Sequence, residues 1–279
     1  MSSVTSAGRI RDAVRSIVRR SLEVVVLAAA WLSLAWPPSA HAEFVDPTLG
    51  VAWPNVLAVA TRGDTLYVGG YLEYVGPNTG GLGAVSATTG QRVGCWPRVD
   101  GTVYAIAPDG VGGWYVGGLF HRVAGVARNN LVHVRADGTL DGWDPDANST
   151  VGKIVVSGST LYVSGDFTRI GGQTRVHLAA LDAATGLATD WNPDPNGGVG
   201  ALAVNGRTVY VGGDFTSVGG AARDCIAALD ATTGLATSWN PDGNYDVGVI
   251  VVDGSTIYVG GGFTHIGGQA RNGLAALDA

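Results

Sequence analysis

The stretch Thr208-Val-Tyr-Val-Gly-Gly-Asp-Phe-Thr-Ser-Val-Gly-Gly-Ala-Ala-Arg223 recurs along this chain, and its copies organise the sequence. Close copies lie at Leu161–Arg175 and Ile257–Arg271. The tyrosine of each copy falls at a nearly constant spacing of 47–48 residues: Tyr67, Tyr115, Tyr162, Tyr210 and Tyr258. A fixed period of this length is typical of a repeat architecture.

Each period contains four strand-sized runs separated by turn residues. Around Tyr210 these are Val199–Val204, the tyrosine strand itself, Ile226–Asp230 and a segment that ends in Trp239–Pro241. Asn-Gly and Asp-Gly at the turns supply the positive φ that tight hairpins need. Residues 43–279 show no sustained apolar spacing of the helical kind. The pattern predicts an all-β fold, a β-propeller made of four-stranded blades.

We expect about five repeats, which start near equivalent valines: Val56, Val103, Val151, Val199 and Val247. Residues 43–54 do not begin a repeat, because Val51–Pro54 resembles the end of one. The sequence stops at Ala279, just before the last copy would supply that segment. We therefore expect residues 43–54 to complete the last blade and close the ring, which removes exposed sheet edges. The alternative interpretation is a truncated gene with further blades.

Residues 1–42 have the pattern of a secretory signal. Val24–Trp36 is an apolar run, and Ala40–Ala42 is a small-x-small cleavage site. The run is shorter than the roughly 20 residues of a membrane span, so an uncleaved anchor is the weaker alternative. We expect a secreted or cell-surface propeller domain at residues 43–279, without a membrane span. The basic region before the run consists of five arginines: Arg9, Arg11, Arg15, Arg19 and Arg20.

The charge balance limits the possible partners. The chain has a formal net charge of −6, and Lys153 is its only lysine. Nucleic-acid binding needs clustered Lys and Arg, so we expect no nucleic-acid partner. Lys153 lies in a predicted innermost strand, in a slot that holds Ala or Val in the other repeats. It is either a solvated side chain in a wet channel or an anion contact.

The aromatic residues repeat with the same period. We expect them to form the core between blades rather than an aromatic platform for a ligand. Four phenylalanines share one repeat slot: Phe120, Phe167, Phe215 and Phe263.

Two charged sets are predicted to lie on one face, in the loops after the second strand and the loops between blades. They would either pair between neighbouring blades, since Arg binds carboxylates well, or form a binding face. The arginines are Arg128, Arg175, Arg223 and Arg271. The acidic residues are Asp146, Asp194, Asp242 and Asp246, together with Asp144. Another aspartate slot is expected to cap turns or to accept from the same arginines: Asp182, Asp230 and Asp278.

No catalytic constellation or metal-ligand spacing stands out in the sequence. The loops Asn192–Asn196 and Asp242–Asp246 offer oxygen ligands for Ca²⁺, but they match no calcium-loop pattern. We therefore assign no metal site and keep Ca²⁺ as the alternative. Cys95 and Cys225 occupy different repeat slots, and two separate thiols are expected rather than a disulfide.

The repeats resemble the delta-sixty-repeat β-propellers of secreted bacterial proteins, with similarity to fungal cortical marker proteins and more distantly to kelch propellers. The resemblance rests on Tyr-Val-Gly-Gly-Asp-Phe-Thr, on Leu-Ala-Ala-Leu-Asp-Ala and on Trp-Asn-Pro-Asp, within residues 51–279. It implies an extracellular module. The quinoprotein propellers share the Ala-x-Asp and Thr-Gly elements, but Trp191 and Trp239 arrive one residue late for that pattern.

Three hypotheses for function follow. The first is a non-catalytic binding or scaffold module for a protein or polysaccharide at the cell surface. The second is a propeller enzyme that is quinone-dependent or acts on glycans. The third is a structural fragment of a larger surface protein.

Overall fold

The computed structural model describes these parts of the chain: residues 51–75, 80–89, 91, 93–94 and 96–279. The predicted signal segment and Cys95 lie outside the described residues. In the parts that are described, the chain forms only strands, turns and loops, which confirms the all-β prediction.

The first two repeats supply seven strands: β1 (Val51–Arg62), β2 (Thr65–Val75), β3 (Leu82–Ser86), β4 (Val99–Pro108), β5 (Trp114–Val123), β6 (Val126–Ala127) and β7 (Leu131–Val134). Strands β1, β2 and β3 form one antiparallel sheet. Strands β4, β5 and β7 form the next, and the short β6 pairs with the end of β5. The tyrosine strand is central in both sheets because it pairs on each side.

The last three repeats are near-copies with five strands each. The third contains β8 (Val151–Ser157), β9 (Thr160–Gly165), β10 (Arg169–Ile170), β11 (Gln173–Thr174) and β12 (Leu178–Asp182). The fourth contains β13 (Val199–Asn205), β14 (Thr208–Gly213), β15 (Ser217–Val218), β16 (Ala221–Ala222) and β17 (Ile226–Asp230). The fifth contains β18 (Val247–Asp253), β19 (Thr256–Gly261), β20 (His265–Ile266), β21 (Gln269–Ala270) and β22 (Leu274–Asp278). In each repeat the first, second and fifth strands form an antiparallel sheet, and the other two form a small hairpin.

The tryptophan segment, predicted as a fourth strand, is reduced to one bridge in each of the second, third and fourth repeats. Ala188 bridges to Leu181 in the third repeat, and Ala236 bridges to Leu229 in the fourth. Beyond the bridge, Trp191 packs into the space between blades, and Pro193 has no N–H to continue a ladder. The prediction of four-stranded blades is therefore not confirmed, because the described sheets have three main strands.

The N-terminal segment also departs from the prediction. Strand β1 pairs with β2 along its length, and Val51 lies opposite Val75. The first repeat lacks the Gly-Asp-Phe-Thr break, so β2 continues and offers β1 a partner. Residues 51–54 thus extend the first blade instead of lying beside β22. A closed ring is not seen among the described residues, and residues 43–50 lie outside them.

The hydrophobic core lies between successive sheets. The repeated phenylalanines are all fully buried there: Phe120, Phe167, Phe215 and Phe263. Phe215 shares one cluster with Tyr162 and Trp191 of the preceding blade and with Val211 of its own. The prediction that these aromatics form the inter-blade core is confirmed.

Hydrogen bonds join neighbouring blades at the edges of this core. The Tyr115 hydroxyl donates to the Ala183 carbonyl at 3.1 Å, and the Tyr162 hydroxyl donates to Ala231 at 3.3 Å. The Trp191 indole N–H donates to the Asp230 carbonyl at 3.0 Å. These three side chains therefore fix the turns of the following blades.

Phe215→Ala should lower the free energy of unfolding by about 3–5 kcal/mol, because it removes a fully buried ring and leaves a cavity between two blades. Urea unfolding followed by circular dichroism measures this loss. The matched control is Leu235→Ala, in an exposed turn of the same blade, which should stay within about 0.5 kcal/mol of the parent. Equal effects of the two changes would contradict an inter-blade core.

Candidate functional site

The loops between blades and the loops after the second strand meet at one end of the molecule. The Asn196 amide oxygen accepts from the backbone N–H groups of Thr216 and Ser217, both at 2.9 Å. Its Nδ2 donates to the Thr216 hydroxyl at 2.8 Å. Asn148 and Asn244 make the same contacts in their blades. We call this end the loop face, and it is the face that the sequence predicted for the charged sets.

The repeated arginines hold their own blades together. Arg223 donates through Nη2 to the Thr237 carbonyl and through Nη1 to the Ala222 carbonyl, both at 2.6 Å. Arg175 makes the equivalent bonds to Thr189 and Thr174 at 2.7 and 2.8 Å. The Nε atoms of both are buried without a partner. These guanidinium groups therefore tie the small hairpin to the tryptophan segment.

The predicted pairing of arginines with acidic residues of neighbouring blades is wrong for the described contacts. Arg128 approaches Asp144 at 3.5 Å, but both belong to the second repeat, and its Nη2 donates to the Asp141 carbonyl. Arg271 reaches only the Ala276 carbonyl, at 3.4 Å. A backbone carbonyl of the same blade is closer to each guanidinium than the carboxylates across the junction, which explains the difference.

The predicted acidic residues of the inter-blade loops are exposed, except for the half-buried Asp246. Three of them have left-handed backbone conformations, with φ of 50°, 47° and 44°: Asp146, Asp194 and Asp242. Asp and Asn adopt this region more readily than most residues. Asp146 also accepts from the Asn129 amide at 2.7 Å. Asp182 accepts from the Thr185 N–H and hydroxyl at 2.8 Å, so the predicted turn-capping role of that slot is confirmed there.

A pocket of about 640 Å³ opens on the loop face, where the innermost strands of the last two blades begin. The first strands of successive blades contact one another and line a shared inner side, which we call the interior. This pocket lies where the interior opens on the loop face. We call it the mouth pocket. Part of its lining consists of glycine and valine residues. The other lining residues come from the last three blades: Asp166, Asp214, Cys225, Asn244, Tyr245 and Asp246.

The last repeat builds its side of the mouth pocket differently from the fourth. Tyr245 and Asp246 stand where the fourth repeat has two glycines, and Gly262 stands where it has Asp214. A β-carbon at Gly262 would lie 2.5 Å from Asp246 Oδ1 and 2.6 Å from Tyr245 Cδ1. Glycine is therefore required for the Tyr245 ring and the Asp246 carboxylate to occupy this wall.

The mouth pocket is acidic and has an aromatic wall. Asp166 and Asp214 are exposed, Asp246 is half-buried, and no Lys or Arg lines the pocket. The Tyr245 side chain is 64% exposed. Of these residues the sequence predicted only Asp246 as a site residue. Asp166 and Asp214 belong to the repeated Gly-Asp-Phe-Thr motif, and their absence from the last copy, at Gly262, was the available signal.

Cys225 is a free thiol at the wall of this pocket. Burial, and then the nearby carboxylates of Asp224, Asp246 and Asp214, raise the pKa of the Cys225 thiol. A raised pKa keeps the thiol protonated at neutral pH, and the thiolate is the nucleophilic form. The arrangement therefore gives Cys225 little nucleophilic reactivity.

Lys153 projects from β8, on an innermost strand as predicted. Its side chain is solvent-accessible, but the surrounding blades restrict hydration, and this burial lowers the pKa of its ammonium group. Among the described contacts it makes no salt bridge.

A cluster that sequence analysis missed lies in the second blade. Both ring nitrogens of His133 face carboxylates, with Nδ1 2.7 Å from Asp141 Oδ2 and Nε2 3.1 Å from Asp109 Oδ2. Burial raises the pKa of Asp109, but hydrogen bonds from the Val111 N–H and from His133 outweigh it and lower that pKa. The pKa of Asp141 is lowered in the same way, against burial, by His133 and the Trp143 N–H.

The described residues contain no group of three or more His, Cys, Asp and Glu side chains arranged to hold a metal ion. They also contain no helix with the length and apolar character needed to cross a membrane.

Arg223→Lys should lower the free energy of unfolding by about 1–3 kcal/mol, because a lysine ammonium cannot bridge the Thr237 and Ala222 carbonyls as the planar guanidinium does. Thermal melting measures the change. The control is Arg207→Lys, since Arg207 is exposed and only approaches Asp230 at 3.9 Å. If both variants melt like the parent, the arginine slot is not structural.

The second-blade cluster should make stability depend on acidic pH. Lowered pKa values mean that the folded state favours ionised Asp109 and Asp141. Their contribution is complete above the unfolded pKa of about 3.9 and is lost as pH falls through the lower folded values. Urea midpoints measured from about pH 6 to about pH 3 should fall less steeply in Asp141→Asn than in the parent. Asp253→Asn, at the exposed end of β18, should keep the parental slope.

Comparisons with known proteins support the fold. A family model described as a domain of unknown function (DUF5122) beta-propeller matches residues 112–142, which run from the turn before β5 to the segment after β7. No curated protein matches the chain. The crystal structure of the computationally designed Ika8 protein is similar over 77% of this chain, with 16% identity and a TM-score of 0.53.

A second solved structure is the WD40 β-propeller domain of Doa1, which matches 74% of this chain with 10% identity and a TM-score of 0.50. The chain spans about 60% of the length of each of these two structures. The more specific resemblance to delta-sixty and kelch repeats stays a prediction. The family match, the two structures and the packed sheets together show a β-propeller fold.

Proposed function

We propose that the protein is a secreted or cell-surface, non-catalytic β-propeller that binds a neutral polysaccharide in the mouth pocket. The observation that carries the proposal is the exposed Tyr245 ring beside the Asp246 carboxylate, with Asp214 of the neighbouring blade on the same pocket. The extracellular location rests on the signal-like pattern of residues 1–42.

The chemistry of the lining suits sugars. A tyrosine ring offers a flat apolar surface with a polar tip, on which the C–H face of a pyranose can pack. Carboxylates accept hydrogen bonds from hydroxyl groups more strongly than neutral acceptors do. Three aspartates provide such acceptors, and the lining has no basic side chain to pair with an acidic sugar. A neutral polysaccharide fits this combination best.

We retain the binding face that the sequence predicted, but we assign the binding to different residues on it. The proposed site lies on the loop face, where the sequence placed Arg175, Arg223, Asp194 and Asp246. The arginines donate structural hydrogen bonds to backbone carbonyls there. We therefore assign the contacts with the ligand to residues of the mouth pocket. Substitution of an arginine would then weaken binding only through the fold.

A protein ligand with an exposed Lys or Arg is the second candidate, because the carboxylates of three blades meet at one pocket. Such a ligand would be drawn in by charge, and its affinity would fall steeply as ionic strength rises. A neutral polysaccharide would bind almost independently of salt. Binding measured at low and high salt therefore separates the two candidates.

Tyr245→Ala should weaken binding to a neutral polysaccharide about tenfold, since loss of the stacking surface costs about 1.4 kcal/mol. Asp214→Asn should weaken it by a smaller factor, because a charged acceptor becomes a neutral one. Affinity electrophoresis against a panel of soluble cell-wall polysaccharides measures both effects.

The matched control is Tyr71→Ala, which removes another exposed tyrosine, from the first blade, and should bind like the parent. Circular dichroism should show the same fold for all variants. If Tyr245→Ala and Tyr71→Ala bind equally, the mouth pocket is not the site. If no polysaccharide binds but a basic protein does, with strong salt dependence, the second candidate replaces the first.

A further inference from the structure

At each internal junction, one face of a blade packs against the opposite face of the next blade. We call the first the trailing face and the second the leading face. The trailing face of a blade carries the tyrosine of the second strand and the first residue of the last strand, as Tyr210 and Ile226 do in the fourth blade. The leading face of the next blade carries the first valine and the second-strand valine, as Val247 and Val259 do in the fifth. These four residues are buried in one cluster.

The trailing face of the fifth blade has no cover among the described residues. Tyr258 is 43% exposed and Leu274 is 68% exposed, whereas Tyr210 and Ile226 in the same slots of the fourth blade are buried. Ala276 is exposed as well, and Ala228 in its slot is buried. An apolar surface of this kind on a folded blade marks an interaction site.

The leading face of the first blade is uncovered too. Val56 is 40% exposed, and the first valines of the other blades are buried: Val103, Val151, Val199 and Val247. Leu66 and Val68 are half-buried, whereas Val209 and Val211 in their slots are completely buried. The described residues therefore end in one free trailing face and one free leading face.

We propose that these two faces bind each other between two copies of the chain, so that the protein associates head to tail. The partner is identified by continuity with the internal junctions, where every trailing face is covered by a leading face of the same repeat type. Both terminal faces are exposed among the described residues, and each presents the apolar slots that the opposite face covers at an internal junction.

The internal junctions also predict a hydrogen bond at the new contact. Tyr162 donates to the Ala231 carbonyl, and Tyr115 donates to Ala183, in the first turn residue after the last strand. Ala87 occupies that slot in the first blade. The Tyr258 hydroxyl of one copy should therefore donate to the Ala87 carbonyl of the next. Such a contact is heterologous, so it builds chains or rings of copies rather than a symmetric dimer.

Sedimentation velocity over a concentration series tests the proposal on the purified protein. The parent should show a sedimentation coefficient that rises with concentration. Leu274→Arg blocks the trailing face, and Val56→Arg blocks the leading face, so each variant alone should stay monomeric. An equimolar mixture of the two should form one dimer and nothing larger, because each supplies one intact face.

Further variants keep the test specific. Tyr258→Phe should weaken association about fivefold without lowering the melting temperature, because its hydroxyl acts only between copies. Leu235→Arg, at an exposed turn leucine away from both faces, should associate like the parent. A parent that is monomeric at all concentrations would overturn the proposal. So would a mixture of the two blocking variants that stays monomeric while both remain folded.

Discussion

The packing of one blade against the next is the constraint on which the rest of this structure depends. A three-stranded sheet has two faces, and in these repeats both are apolar. Tyr162 and Leu178 project from one blade toward Val211 and Phe215 of the next, so neighbouring blades stabilise each other. The free energy of folding thus comes from contacts between residues about one repeat apart.

This constraint also decides where a ligand site can form. The junctions hold the first strands side by side. The hydrogen bonds of Asn196 with Thr216 and Ser217 hold the loops of the loop face in place. Because both the core and the loop backbone are used for structure, side chains at the mouth of the interior are the ones that remain for a ligand on the loop face. Asp214 and Tyr245 are in that position.

Much of the fold could be predicted from the sequence, because period and alternation report directly on burial. The strands Val199–Asn205, Thr208–Gly213 and Ile226–Asp230 lie where the pattern placed them. The tryptophan segment misled the prediction. Its length suits a strand, but the packing of Trp191 between blades and the missing N–H of Pro193 end the ladder after one bridge. The length and residue types of a segment alone do not show where a side chain packs between blades instead of continuing a strand.

The site was harder to predict, and the reason is physical. An arginine in a repeated loop can reach a carboxylate across the junction or a carbonyl in its own blade, and only the distances decide between them. Arg223 meets Thr237 at 2.6 Å within its blade. The His133 cluster was missed because Asp109 and Asp141 come to it from separate turns of the blade. Hydrogen-bond partners depend on three-dimensional proximity that repeat spacing does not encode.

Residues that repeat in the same slot and residues that differ between blades therefore indicate different roles in such a chain. A residue type kept in the same slot of four blades, such as the phenylalanine represented by Phe215, satisfies a demand that every internal junction makes. A slot that varies from blade to blade has no such explanation. At Tyr245, Asp246 and Gly262 the fifth repeat differs from the fourth at three positions, and the geometry links them, since a side chain at Gly262 would strike the other two. Linked departures at the mouth of the interior, rather than the repeated charges of the loops, are the stronger sign of a binding site.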